Sequence, residues 1–379
     1  MLMNDNKILR HGYVDWYVLI GVISLMFSSL AFVYSASSNF AMNKSGSSEA
    51  IFWNHVIRVG LAIIAMLAFS KIDYHWIEKF SKPILILAIG LLIYVFFDGV
   101  QAKGATRWIH FGFVSFQPSE LAKFTLVFHL AVMLSQKKNY LDDFWMSFIP
   151  MMVWIVSVCV LIALQPNFST MMVIFTLSMS MLFIGKLKLR YFAGVTVLGL
   201  VCAFFYAISA PYRMNRFKGY LGIVNSDSSN VLSNLNYQLN QGLIGFGVGK
   251  YFGVGIGNSI QRKYIPEPYG DFIYAIVGEE YGFVGAALIL ILFGLIIWRG
   301  FKISKLSPDE LGKYLSVGIT LSIGLYAIAN AFVTTGLAPT TGLPMPFVSY
   351  GGSSIIISGM AVGVLLNISQ YSNIMPRNN

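Results

Sequence analysis

Long apolar runs broken by short polar stretches set the rhythm of this chain. Such runs occupy residues 14–34, 51–70, 83–97, 121–134, 147–164, 170–185, 191–210, 272–297, 313–335 and 354–371. About 20 helical residues cover the ~30 Å of bilayer hydrocarbon. Most of these runs approach that length, and the third and fourth are the shortest. The pattern predicts an all-α polytopic membrane protein with about ten transmembrane helices. The first run is followed by Ser35-Ala36-Ser37-Ser38, small residues of the kind found at a cleavage site. Its apolar stretch exceeds a signal-peptide core, so it reads as a retained helix.

The polar stretches add orientation. Lys71, Lys79, Lys82, Lys137, Lys138, Lys186, Lys188, Arg190, Arg299, Lys302, Lys305 and Lys313 fall in alternate connections, with Lys7, Arg10 and Arg377 at the ends. The short connections of the other side hold only Lys44, Lys103 and Arg107. This is a positive-inside pattern, and it predicts that both termini are cytoplasmic. Composition agrees, with 56% hydrophobic and only 11% charged residues in 379, against about 25% charged in a soluble domain. The net charge of +10 is then a topology signal with some attraction to anionic lipid, and no nucleic-acid partner is expected. Residues 1–379 read as a single integral membrane domain without an internal repeat. Cys159 and Cys202 both fall inside apolar spans, where neither a disulfide nor a metal site is expected.

One connection is long. Residues 211–270, between the seventh and eighth spans on the outer side, contain Tyr237-Gln238-Leu239-Asn240-Gln241 and then an apolar, glycine-rich run. Short helices and turns on or re-entering the membrane surface are expected there. Gly245-Phe246-Gly247-Val248-Gly249-Lys250 imitates a phosphate loop. Tyr251 stands where Ser or Thr is needed and no strand precedes it, so the glycines are read as permitting tight turns and close packing.

Charges at membrane depth are costly, which makes each one a candidate for function. Asp271 opens the eighth span behind Pro266-Glu267-Pro268-Tyr269-Gly270. The position suits a helix N-cap, a general base or a ligand to a divalent cation, and local chemistry does not choose among them. Glu279 and Glu280 lie deeper in the same helix, about 12 Å up from Asp271 for the first, and pairing with a basic residue of another helix is expected. Glu120 and Lys123 share a face at the start of the fourth span, either neutralising one another or lining an outward cavity where Lys123 meets a phosphate. Arg58 in the second span, Arg107 and Trp108 in the third-to-fourth connection, and Arg213 and Arg216 after the seventh span are outer-side cations and an aromatic. They suit snorkelling or pyrophosphate binding, and Trp108 suits a membrane-interface belt or a sugar stack. Residues 336–354 hold no charge, three prolines and several hydroxyls, including Ser349 and Ser353. They cannot form a continuous helix, and irregular backbone at that depth is tolerated only when buried in protein or lining a cavity.

Six of these pieces in order, residues 104–109, 117–123, 237–241, 253–259, 266–282 and 336–354, resemble the SEDS family of polytopic cell-wall proteins, typified by FtsW, RodA and SpoVE. Residues 253–259 and the run from Tyr269 to Glu280 look most like its division branch, although Tyr269-Gly270 stands where the family often has His-Thr. The resemblance implies a peptidoglycan glycosyltransferase that polymerises lipid II at the outer face of the cytoplasmic (inner) membrane, with Asp271 catalytic. It implies substrate-side roles for Arg107, Trp108, Glu120 and Lys123, and partners in a class B penicillin-binding protein, undecaprenyl-pyrophosphate-linked glycan and other divisome membrane proteins. No cofactor is required by this reading, and a divalent cation, Mg or Mn, is compatible with it. The rivals are a lipid II flippase or transporter, which needs polar groups through the whole membrane depth, an elongation-branch polymerase, and a non-catalytic division scaffold.

Overall fold

The computed structural model describes residues 12–102, 105–111, 114–137, 143–208 and 231–372. Helices α1 (Trp16–Ser45), α2 (Ala50–Lys71) and α3 (Trp76–Asp98) lead into a small antiparallel sheet of β1 (Val100–Ala102), β2 (Ala105–Phe111) and β3 (Val114–Phe116). Then follow α4 (Pro118–Gln136), a π turn (Phe144–Phe148) running into α5 (Ile149–Leu164), α6 (Phe168–Ile184), α7 (Leu189–Ile208), α8 (Val231–Gly249), a 3-10 turn (Gln261–Lys263), α9 (Ile273–Lys305), α10 (Glu310–Thr334) and α11 (Ser353–Tyr371). All ten predicted spans fall on helices. Among the described residues seven helical segments are long and apolar enough to cross a membrane, and Phe168–Ile184 is apolar but shorter.

Burial separates a centre from a rim. The apolar windows of α11 and α10 are 83% and 72% buried, against 22% and 28% for α2 and α3. Most of α4 is also buried. The centre is therefore α4, α10 and α11, and the rim turns apolar side chains such as Ile57, Ile64, Leu87 and Phe97 outward, as a lipid solvent requires.

Three local departures from expectation have physical causes. Pro83, expected to open the third span, lies inside α3, because helix formation reaches back to Trp76 beyond the apolar edge. Helix α1 continues to Ser45, capped at Asp15 by bonds from the Tyr17 and Val18 amides and at Gly46 by left-handed backbone. Its extra turns bury Ser35 and Ser37 against protein. The glycine run 245–249, expected to turn, is the end of α8. A Cβ on Gly249 would stand 2.0 Å from the Gly278 carbonyl oxygen, so the missing side chain lets α8 lie directly on α9.

Helix α9 is itself broken. Gly282 adopts φ 67°, ψ −165° inside it, a conformation open to glycine. The segment after α8 repairs the break. Phe283 and Val284 amides donate to the Lys250 and Tyr251 carbonyls (2.8 and 3.1 Å), and Val254 and Gly255 amides donate to the Glu279 and Glu280 carbonyls (3.0 and 3.1 Å). Backbone groups freed at membrane depth are thus satisfied by protein.

Candidate active site

The uncharged connection between α10 and α11 is the hub of the site. Left-handed backbone at Gly342 (φ 70°) and at the buried Phe347 (φ 61°) bends it sharply. For a bulky residue such as Phe347 this conformation is costly and is held by its surroundings. Asn330 of α10 donates both amide hydrogens, to the Asp271 carbonyl (2.8 Å) and to the Leu343 carbonyl (2.7 Å). Ser349 accepts from the Met345 amide (2.8 Å). Ser353, at the start of α11, accepts from the Gln117 amide (3.0 Å), tying the hub to the entrance of α4.

Five of the predicted residues meet this hub. Asp271 is half-buried in the turn before α9, and a Cβ on Gly342 would lie 3.4 Å from its Oδ2. The N-cap of α9 is Phe272, with no side-chain cap bond, so the capping role open to Asp271 is not the one it takes. Among the described residues no hydrogen bond or ion pair engages its carboxylate. Glu120 and Lys123 form a buried ion pair (2.7 Å) facing a narrow cleft walled by Tyr326, Pro344, Phe347, Ser349 and Ser358 among others. The pair is mutually neutralised and lines a cleft at once, so the two sequence readings do not exclude one another. Asp271 does not line that cleft. It meets the same loop at Gly342, two residues before Pro344 of the cleft wall.

Arg58 stacks over the Tyr350 ring, 4.7 Å from guanidinium carbon to centroid. Tyr350 in turn meets Tyr269 edge-on at 5.4 Å, and its backbone amide donates a hydrogen bond to the Tyr269 carbonyl (2.9 Å). Burial, reinforced by the charge of Glu267 and by Tyr350, raises the Tyr269 phenol above its ordinary range. Trp108 on β2 reaches the hub too: a Cβ on Gly352 would come within 3.2 Å of its ring.

The other predicted residues go elsewhere. Arg107 donates to the Gln165 carbonyl (3.2 Å) and to the Pro166 carbonyl, anchoring β2 to the α5–α6 turn. Glu279 accepts from the Ser259 hydroxyl and the Ile260 and Gln261 amides (2.9 and 3.2 Å). Glu280 accepts from the Ser35 hydroxyl and the Ser259 amide (3.3 Å). Both are buried, but backbone amides and hydroxyls, not the expected basic residue, hold them. They clasp the segment after α8 onto α9 and α1. Arg213 and Arg216 lie outside the described residues. Nothing in the sequence singles out Tyr326, Asn330 or Tyr350, and Tyr269 stands out there only as a departure from the family pattern. A neutral polar side chain inside or beside an apolar span was the available signal, and it is a weak one.

Among the described residues no group of three or more His, Cys, Asp or Glu is placed to hold a metal ion.

Comparison with known proteins gives consistent matches. A family model covering FtsW, RodA and SpoVE, described as "Cell cycle protein", matches residues 15–374. Stage V sporulation protein E of Bacillus subtilis is 36% identical over 361 residues, spanning 94% of this chain and 97% of its own. A probable peptidoglycan glycosyltransferase FtsW of Hahella chejuensis is 34% identical over 361 residues, spanning 94% and 90%. A solved structure described as "Structural coordination of polymerization and crosslinking by a peptidoglycan synthase complex" superposes with TM-score 0.78 at 23% identity, over 95% of this chain and 99% of that one. The rod shape determining protein RodA of Thermus thermophilus superposes with TM-score 0.69 at 22% identity, over 94% and 96%. The structural likeness carries the fold.

Proposed function

From the premise that this chain belongs to the FtsW, RodA and SpoVE family, we propose that it is a peptidoglycan glycosyltransferase that polymerises lipid II on the outer face of the cytoplasmic membrane, in septal wall synthesis. The observation that carries the reading is the uncommitted, half-buried Asp271 carboxylate at the hub loop. Asp271 takes the proton of the acceptor's GlcNAc 4-hydroxyl. That oxygen attacks the anomeric carbon of the growing donor strand, the bond to the lipid-linked pyrophosphate breaks, and undecaprenyl pyrophosphate leaves with the electron pair. An aspartate is a weak base, so much of the rate comes from positioning.

The leaving charge needs a cation. Among the described candidates, Lys123 is paired with Glu120 and acts within the cleft it lines and Arg107 is committed to carbonyls, so Arg58, held by an aromatic face, is the stronger candidate for the pyrophosphate itself. One carboxylate plus substrate phosphates is also a donor set that Mg²⁺ accepts; no step here is routed through it. A class B penicillin-binding protein is the proposed transpeptidase partner. The polymerisation-and-crosslinking complex among the structural neighbours supports that choice. Septal work is supported by relatives named FtsW, and depletion in cells should then give filaments. Swollen, rounded cells would move the chain to the elongation branch.

The activity test is purified protein with lipid II in detergent. Polymer from wild type and none from Asp271→Asn or Asp271→Ala is expected. Full polymerisation by both variants removes Asp271 from the chemistry. Transbilayer movement of lipid II in vesicles without polymer would favour a flippase instead. Cells that divide normally on either variant alone would favour a scaffold.

A further inference from the structure

Helix α10 carries two polar residues four apart, Tyr326 and Asn330, which therefore share one face. Asn330 holds the Asp271 carbonyl and the Leu343 carbonyl. Tyr326 is 2% exposed, and its ring lies under the Lys123 ammonium, 3.9 Å from Nζ to centroid. One strip of one helix thus touches both charged parts of the site. Lys123 and Glu120 sit on the same helix at a spacing of three, and this pair alone leaves a four-carbon side chain free to rotate about its stem. The Phe124 ring, at 4.6 Å, belongs to that same helix. Tyr326 supplies the ring contact to Lys123 that comes from another element. It fixes the ammonium relative to α10, the helix that also fixes the Asp271 backbone.

We propose that Tyr326 and Asn330 are positioning residues, which set the placement of the Lys123 ammonium relative to the Asp271 carboxylate across the hub loop. Tyr326 acts through the face of its ring and Asn330 through its two amide hydrogens. The inference rests on the polymerase reading and deepens it. A desolvated cation over an aromatic face is a strong contact, and losing it frees Lys123 to swing.

The test is steady-state polymerisation of lipid II by purified full-length protein, with Asp271→Asn measured alongside. Tyr326→Leu should lower kcat/KM by about 10- to 30-fold, and Tyr326→Phe should recover to within about threefold of wild type. Combining Tyr326→Leu with Lys123→Met should add nothing to the loss from Lys123→Met alone. A leucine can disturb packing, so the decisive series keeps the shape. Phenylalanine and its mono-, di- and trifluorinated analogues at position 326 should lower the rate stepwise as fluorine drains the ring face. Asn330→Ala should lower kcat and leave KM within about twofold. Equal rates across the fluorinated series, or full additivity with Lys123→Met, overturn the role of Tyr326, and an unchanged kcat in Asn330→Ala overturns that of Asn330. Wild-type protein that makes no polymer overturns the polymerase reading and this inference together. Active wild type, inactive Asp271→Asn and a flat fluorine series overturn the Tyr326 inference alone.

Discussion

Asp15 and Asp309 on the Lys/Arg-rich face and Asp271 on the opposite face all stand at the entrance to a helix, and their surroundings differ completely. Asp15 is fully buried and accepts from the Tyr17 and Val18 amides (3.1 and 3.3 Å) and from Arg299 (2.8 Å). Asp309 accepts from the Gly312 amide (2.9 Å), the Tyr74 hydroxyl (2.9 Å) and His75 (3.1 Å). Around them Asn367 and Gln370 of α11 donate to the Ser70 carbonyl (2.9 Å each) and Ser369 receives the Asp15 amide (3.0 Å). On that face both carboxylates are saturated with partners, so they serve as joints. On the opposite face, among the described residues, no hydrogen bond or ion pair claims the Asp271 carboxylate. Burying a polar group without partners is unfavourable, and the half-buried Asp271 keeps access to solvent; under the proposed reading that open carboxylate is the one the acceptor hydroxyl meets.

The comparison breaks most visibly at Asp271 itself. Asp271→Asn should cut polymerisation by about 100-fold or more, the scale of general-base catalysis, with a melting temperature in detergent within about 2 °C of wild type. A loss of many degrees would place this residue with the other two. Asp15→Ala should do the reverse. It leaves the Arg299 guanidinium buried without its carboxylate, at a cost of about 3–5 kcal/mol. Thermal unfolding should show the loss, and adding Arg299→Met should recover most of it. If Asp15→Ala melts like wild type, the saturated face is not a joint. Arginines sharpen the same contrast on a smaller scale. Arg58→Met should lower kcat/KM by about tenfold or more, as expected for a charge-assisted contact to phosphate. Arg107→Met, which removes bonds to the α5–α6 turn, should lower the melting temperature and leave the activity per folded molecule nearly intact.

The two faces were also unequally legible. Ten spans and their alternation follow from hydrophobic runs and cation placement, because in a membrane those two properties decide almost everything. The hub loop was legible for a negative reason: Pro339, Pro344 and Pro346 forbid helix where the depth of the chain demands satisfied backbone. The break at Gly282 was not legible. No proline marks it, and the groups that repair it come from residues 250–255, some 30 positions earlier in the chain. Glu279 and Glu280 misled for a related reason. Acidic side chains at membrane depth suggest a basic partner, but Ser35, Ser259 and three backbone amides supplied the bonds, and backbone amides carry no sequence signature. Tyr326 and Asn330 escaped notice because a tyrosine and an asparagine in an apolar run look ordinary until the fold shows what they face.

The smallest expected effect tests whether the saturated face responds to pH as a joint should. His75 sits between Asp309 (3.1 Å) and Asp73 (2.6 Å) in the turn before α3. The hydrogen bond to Asp309, opposed by burial and reinforced by Asp73, raises its pKa from 6.5 to about 9. Burial of Asp309 pushes its carboxyl up, but bonds from His75, the Gly312 amide and Tyr74 outweigh it and hold the pKa below 3.8. A group whose folded pKa is raised contributes its full stabilisation below the unfolded value, here 6.5, and loses it as pH rises through about 9. The depressed carboxyl contributes above 3.8 and loses its share in acid. With the imidazole 34% exposed, solvent screening leaves about 1 kcal/mol of the histidine's share. The melting temperature of wild type should therefore fall by a few degrees between neutral pH and pH values above about 9, relative to His75→Ala, in which that limb should be flat. Parallel curves for the two proteins would mean that His75 is merely adjacent to Asp309. Asp271→Asn should leave the alkaline limb untouched, since nothing on the saturated face leans on it.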